Sequence, residues 1–247
     1  MNALYTGISL GLSGLVPALP SLWRPTRRWH LLGGAVFVGA TMWAGLATWP
    51  RWLPWLPLVA GNDVWLNILL TLLISLVALA GLLAVGHWQR AEFGLRLRPY
   101  PGTGREVVRW LLPLLGLEVA LLWLLVPGGH PTPGFQLVQV VVGLTEELTF
   151  RGVFLALLNR ALPGRVRVLG ADVGWGTVVS SLVFGLCHGL RVGTDFHPQL
   201  HLLPMAIPTL GGFVLAWCRA RSGGLLLPIV VHSGMNEVMQ FIALLKV

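Results

Sequence analysis

Two adjacent carboxylates and an arginine interrupt a long apolar stretch at Thr145-Glu-Glu-Leu-Thr-Phe-Arg151. The flanks read Phe135-Gln-Leu-Val-Gln-Val-Val-Val-Gly-Leu144 and Gly152-Val-Phe-Leu-Ala-Leu-Leu158. An ionised group at bilayer depth costs a few kcal/mol or more, so such groups mark functional sites. Two later apolar stretches carry matching polar residues, at Phe184-Gly-Leu-Cys-His188 and His232-Ser-Gly-Met-Asn236. On a helix, Glu147 and Arg151 are one turn apart and can pair. Glu146 is rotated about 100° from Glu147, free for another task. Phe184 shares a face with His188, and His232 with Asn236.

A carboxylate, two imidazoles and a carboxamide then have the means to converge. A Glu–His pair can hold a water and remove its proton, since burial tunes a carboxyl toward the working range. A second histidine and an Asn amide can donate hydrogen bonds to the oxyanion of a tetrahedral intermediate. These are the parts needed to hydrolyse a peptide bond without a covalent enzyme intermediate.

The elements that must position these groups are membrane helices. Of the 247 residues, 55% are hydrophobic and 11% charged, and the mean hydropathy is +0.76. That composition predicts an integral membrane protein with an all-α, polytopic transmembrane helix bundle of about eight spans. The apolar runs are 3–20, 31–50, 64–86, 108–126, 135–158, 173–190, 201–218 and 224–245, punctuated by Pro, Gly and Arg. No Lys or Arg precedes the first run, which reads as a retained helix rather than a signal peptide. Residues 1–130 are expected to supply N-terminal helices and a cytoplasmic loop, and residues 131–247 the catalytic core, in one integrated membrane domain.

The net charge of +8 does not indicate nucleic acid, because the arginines fall in short loops and set topology. Arg24, Arg27, Arg28, Arg90, Arg96, Arg98, Arg105, Arg109, Arg160, Arg165, Arg167, Arg219 and Arg221 lie on one side; only Arg51, Arg191 and Lys246 lie on the other. The first set is expected in the cytoplasm, with both termini outside, in a bacterial inner (plasma) membrane. Tryptophans at 23, 29, 49, 52, 55, 65, 88 and 110 sit near span ends, as an interfacial belt requires. Counting helical rise from the cytoplasmic span ends puts Glu146 about 18 Å deep, His188 about 22 Å, His232 about 12 Å and Asn236 about 18 Å. One polar cluster near mid-membrane follows.

The series Glu-Glu-x-x-x-Arg, Phe-x-x-x-His and His-x-x-x-Asn resembles the CPBP family of CAAX proteases and bacteriocin-processing enzymes, also called Abi. This family includes the type 2 CAAX prenyl endopeptidases. The tract Arg221-Ser-Gly-Gly-Leu-Leu-Leu-Pro-Ile-Val-Val-His232 is similar to the family's approach to its last motif, and Phe93-Gly-Leu95 to an element found ahead of the core. The resemblance spans about residues 140–245. It implies an intramembrane glutamate endopeptidase acting on a membrane-associated peptide or protein. Glu146 would be the base, His188 its partner in activating water, and His232 and Asn236 the oxyanion donors. Glu147 and Arg151, with Phe184, would support the site. It implies no cofactor, although the family was long described as metalloproteases.

Other readings compete. Glu146, Glu147, His188 and His232 have metal-capable side chains, but their spacing is not a ligand signature, so a divalent metal is the lesser alternative. Buried acids and histidines also make proton relays, so proton-coupled transport or a non-enzymatic bacteriocin-immunity role stands as a second function. Cys187 adjoins His188 but points about 100° away, which disfavours a thiol nucleophile. The aspartates Asp63, Asp172 and Asp195 lie at span ends or in loops, which disfavours an aspartyl dyad. Glu118 and Glu237 are acids in apolar spans outside the motif pattern. Substrate identity and oligomeric state are not legible.

Overall fold

The computed structural model describes residues 28–47, 63–125, 128–129, 133–192 and 197–247. The expected span at 3–20, and the tryptophans at 23, 49, 52 and 55, lie outside them. Helices α1 (Arg28–Ala47) and α2 (Asp63–Ala84) come first. A short helix (Thr103–Glu106) and a π-helical stretch (Val107–Leu111) lead into α3 (Leu112–Leu125). Helix α4 (Pro133–Glu147) passes through a second π-helical stretch (Leu148–Phe154) into α5 (Leu155–Ala161). Helices α6 (Trp175–Gly189), α7 (Leu202–Ser222) and α8 (Leu226–Leu245) complete the bundle. The protein is a mostly helical membrane protein. Among the described residues, three helices are long and apolar enough to cross a bilayer: Asn67–Ala84, Thr103–Leu125 and Leu202–Ser222.

The expectation of a purely helical chain needs one correction. Among the described residues two short antiparallel hairpins are present: β1 (Arg165–Val168) with β2 (Ala171–Gly174), and β3 (Leu190–Val192) with β4 (Pro198–Leu200). The first turns at Leu169 and Gly170, both with positive φ (48° and 81°). The alternating β-branched Arg-Val-Arg-Val suits a strand, and Trp217 Nε1 donates to the Val168 carbonyl at 3.1 Å to dock it on α7.

The α4–π–α5 rod is the centre of the bundle. Every residue from Glu147 to Leu158 is buried, as a helix surrounded on all sides requires. Phe150, Phe154 and Leu157 join Phe37 and Val38 of α1, Leu79 of α2, and Val183 and Phe184 of α6 in one core. A hydroxyl ladder ties α2 to the rod: Ser75 Oγ lies 2.8 Å from Thr149 Oγ1, which donates back to the Thr145 carbonyl at 2.8 Å.

Lipid supplies no hydrophobic drive between helices, so close approach depends on small residues. A Cβ on Gly185 would lie 1.8 Å from Thr209 Oγ1 and 2.6 Å from the Met205 carbonyl oxygen. Helices α6 and α7 therefore touch backbone to backbone. A Cβ on Gly143 would lie 2.5 Å from Ser233 Oγ, which brings α4 against α8.

Three arginines fasten the 87–103 connection over the helix ends. Arg160 donates to both Glu92 carboxylate oxygens at 2.8 Å, donates to the His87 carbonyl and stacks 3.5 Å over the Trp88 ring. Arg219 Nη2 donates to the carbonyls of Ala91 (3.0 Å) and Glu92 (3.1 Å). Arg221 reaches the Pro101 carbonyl (2.9 Å) and Thr103 Oγ1 (3.2 Å). Gly94, at φ 73°, must be glycine: its Cβ would sit 2.2 Å from Arg219 Nε.

Two outcomes are expected. Gly185→Val should lower stability by about 1–3 kcal/mol through overpacking, read as a drop in melting temperature in detergent; an unchanged melt would contradict the close α6–α7 contact. The Arg160 hydrogen bond, foremost, holds the Glu92 carboxyl below its usual range. The clamp's stability is then fully present above the unfolded value of 4.5 and is lost as pH falls through the folded one. Glu92→Gln should flatten that acid limb of the pH–stability profile.

Candidate active site

The rod presents Glu146 and Glu147 at the junction of α4 and its π-helical stretch. The Leu155 N–H bonds the Phe150 carbonyl, five residues back. Such wide turns recur at functional sites, because they shift the register of the following residues. Here the wide turn contains Arg151. Its Nη1 donates to Glu147 Oε1 at 2.7 Å, and the two side chains are 1% and 0% exposed. Arg151 Nη2 also reaches the Gly212 carbonyl of α7 at 3.4 Å, and the guanidinium lies 4.3 Å from the Phe184 ring centroid.

Helix α8 brings His232 to the same carboxylate. His232 Nδ1 lies 2.8 Å from Glu147 Oε1, and Nε2 lies 3.6 Å from Glu146 Oε2. Since Glu147 Oε1 already accepts from Arg151 and serves as the acceptor for the imidazole, Nδ1 carries the hydrogen. Nε2 is thereby turned to Glu146. Asn236, one turn on, donates from Nδ2 to the Gln139 carbonyl at 3.2 Å, and Ser233 Oγ donates to the Val140 carbonyl at 3.2 Å. These two bonds fix the register of α8 on α4, which is possible because Gly143 leaves room for Ser233.

His188 stands at the end of α6. Its Nδ1 lies 2.8 Å from the Phe184 carbonyl. A carbonyl only accepts, so Nδ1–H is the donor, and Nε2 of the neutral ring keeps a free lone pair. Phe184 is the aromatic hub, with ring centroids 4.8 Å from His188, 5.9 Å from His232 and 5.1 Å from Phe150. A cavity of about 220 Å³ is lined by Phe184, His188, His232 and Asn236, with apolar side chains of α7 and α8 and with Glu118 of α3.

The structure thus brings together six of the seven residues singled out in the sequence through direct contacts: Glu146, Glu147, Arg151, Phe184, His188 and His232. Asn236 joins them on the cavity wall. The pairing differs from the expected one in a single respect: the imidazole facing Glu146 is His232, and His188 makes no ion pair with either glutamate. Glu146 borders His232 and is not on the cavity lining. Sequence reasoning did not find Gly143 and Ser233, whose small size sets the α4–α8 distance; the Gly-x-x-x-Glu spacing of 143 and 147 was the available sign. It also set aside Glu118. Among the described residues no group of three or more His, Cys, Asp or Glu side chains has metal-binding geometry.

Two imidazoles, a carboxamide and the Glu118 carboxyl line a cavity inside an apolar helix bundle, with the Glu146–Glu147 pair against His232. Residues 128–238 match the family model of the type II CAAX prenyl endopeptidase Rce1-like proteins. All three motifs fall inside this stretch, which is similar to the Rce1-like type II CAAX prenyl endopeptidases, in line with the resemblance of the sequence. No curated protein and no solved structure matches the chain.

The buried ion pair generates a stability test. Arg151→Met should cost about 3–5 kcal/mol, because it strands a buried carboxylate. Adding Glu147→Gln should recover part of that loss, which a double-mutant cycle on thermal unfolding in detergent measures. Additive losses would contradict the coupling.

Proposed function

We propose that the protein is an intramembrane endopeptidase that hydrolyses a peptide bond in a membrane-associated peptide or protein with water activated by glutamate and histidine. The observation that carries this reading is His232, held by Glu147 on one nitrogen and facing Glu146 with the other, beside a cavity that also exposes His188 and Asn236.

Glu146 takes a proton from a water bound toward the Nε2 of His188. The water oxygen forms a bond to the scissile carbonyl carbon, and the carbonyl π electrons move to oxygen. The resulting oxyanion accepts hydrogen bonds from His232 Nε2–H and from the Asn236 amide hydrogen not given to Gln139. The carbon–nitrogen bond then breaks, and Glu146 returns its proton to the leaving amine. Arg151 cancels the charge of Glu147, and one proton shared between Glu146 and His232 makes the four-group cluster neutral. That neutrality supports a proton shuttle at a depth where net charge is costly.

In this proposal the chain crosses a bacterial inner membrane about eight times, as one integrated domain with its Arg-rich loops in the cytoplasm. The arginine asymmetry and the apolar helices support that arrangement. The substrate enters from the lipid or the cytoplasmic face, and no cofactor takes part.

The test is a cleavage assay on purified protein in detergent with a pool of membrane-associated peptides. Glu146→Gln and His188→Ala should each reduce cleavage by at least about 100-fold while leaving the protein folded, and a strong chelator should change nothing. Cleavage retained by folded Glu146→Gln would end the glutamate mechanism. Loss of cleavage in chelator, restored by a divalent cation, would replace it with metal-assisted hydrolysis.

A further inference from the structure

Glu118 of α3 is the polar group on the cavity wall that the hydrolytic reading leaves unused. It faces the space shared with His188, His232 and Asn236, and the surrounding wall is apolar, including Leu122, Ile207 and Met239. Among the described residues Glu118 has no hydrogen bond and no ion pair; its one resolved electrostatic neighbour is His232. That imidazole is already engaged between Glu147 and Glu146. Arg151 is likewise committed to Glu147 at 2.7 Å. Glu118 is therefore the carboxyl on the cavity lining, and among the described residues no cation is paired with it. Glu118 is partly buried, and a cation placed beside its carboxylate would offset the cost of that burial.

We propose that the missing cation comes with the substrate, and that Glu118 is a specificity residue for a lysine or arginine side chain near the cleaved bond. This inference rests on the endopeptidase reading of the site. A cavity of about 150 Å³ takes a benzene ring, so one of about 220 Å³ has room for a long side chain. The methylene stem of lysine or arginine lies along the apolar wall, as such stems do on apolar surfaces. The charged head meets the Glu118 carboxylate. Because the pair forms against a mostly apolar wall, it discriminates against a neutral side chain of equal length and repels an acidic one.

The experiment uses the full chain in lipid nanodiscs and matched fluorescent apolar peptides of about 20 residues. One central position carries Lys, norleucine or Glu. Binding is measured by anisotropy on Glu146→Gln and on Glu118→Gln/Glu146→Gln, and cleavage by mass spectrometry on wild type. The Lys peptide is expected to bind about tenfold tighter than the norleucine peptide, a difference of about 1.4 kcal/mol, with the Glu peptide weakest. Glu118→Gln keeps the side chain's size and removes its charge, so it should bring Lys and norleucine to near equality. Equal binding of Lys and norleucine, no binding of either, or a Lys preference that survives Glu118→Gln would each overturn the proposal. Should Glu118→Gln melt early, the Lys–norleucine comparison on the Glu118-bearing protein decides alone. Cleavage without Lys preference removes this inference and keeps the endopeptidase; Lys-selective binding without cleavage by wild type does the reverse.

Discussion

One carboxylate oxygen organises the centre of this protein. Glu147 Oε1 accepts from Arg151 on its own helix and from His232 on α8, both at under 3 Å. Arg151 in turn reaches the α7 backbone at Gly212 and the face of Phe184 on α6. Four helices thus meet around a single buried charge. A buried ion pair adds little net stability by itself, but removing one partner leaves an uncompensated charge that costs several kcal/mol. The cluster consequently acts as a register lock: the helices are held in an arrangement in which the Glu147 and Arg151 charges offset each other.

That arrangement is reached through sterics rather than apolar attraction. A hydrogen bond of 2.8 Å from His232 to Glu147 needs the backbones of α4 and α8 close together, and Gly143 against Ser233 permits it. Glycine at 185 does the same for α6 and α7. The side-chain-to-carbonyl bonds of Ser233 and Asn236 then fix how far α8 slides along α4. On the arginine-rich side, Arg160, Arg219 and Arg221 serve the same purpose with the opposite chemistry: long cationic side chains donate to backbone carbonyls of the 87–103 connection.

What was legible in the sequence was local. The Glu147–Arg151 pair follows from a one-turn spacing, and the shared faces of Phe184 with His188 and of His232 with Asn236 follow from the same periodicity. The family resemblance was carried by those motifs. What was not legible depends on the contact between helices. Which imidazole meets which glutamate is set by the wide turn after Glu147 and by the Gly143–Ser233 approach, and neither has a period to detect. The hairpins escaped because strands of three or four residues carry too little alternation to register against a helical background. Glu118 escaped because a lone acid in an apolar span has no partner in sequence, and its place on the cavity wall exists only once α3 packs on α8.

The two adjacent glutamates illustrate how neighbouring residues are driven to different uses. Glu147 is fully buried, one oxygen is doubly engaged, and the other is enclosed without a partner. Its side chain is fully enclosed. Glu146 is 28% exposed, and its nearest partner, His232 Nε2, stands at 3.6 Å, beyond a strong hydrogen bond. A group that must take up and return a proton needs an uncommitted oxygen within reach of a proton carrier. Of the pair, only Glu146 combines an uncommitted oxygen with partial exposure. The rotation of about 100° between consecutive helical residues is enough to place one carboxylate inside the structural lock and the other at its edge.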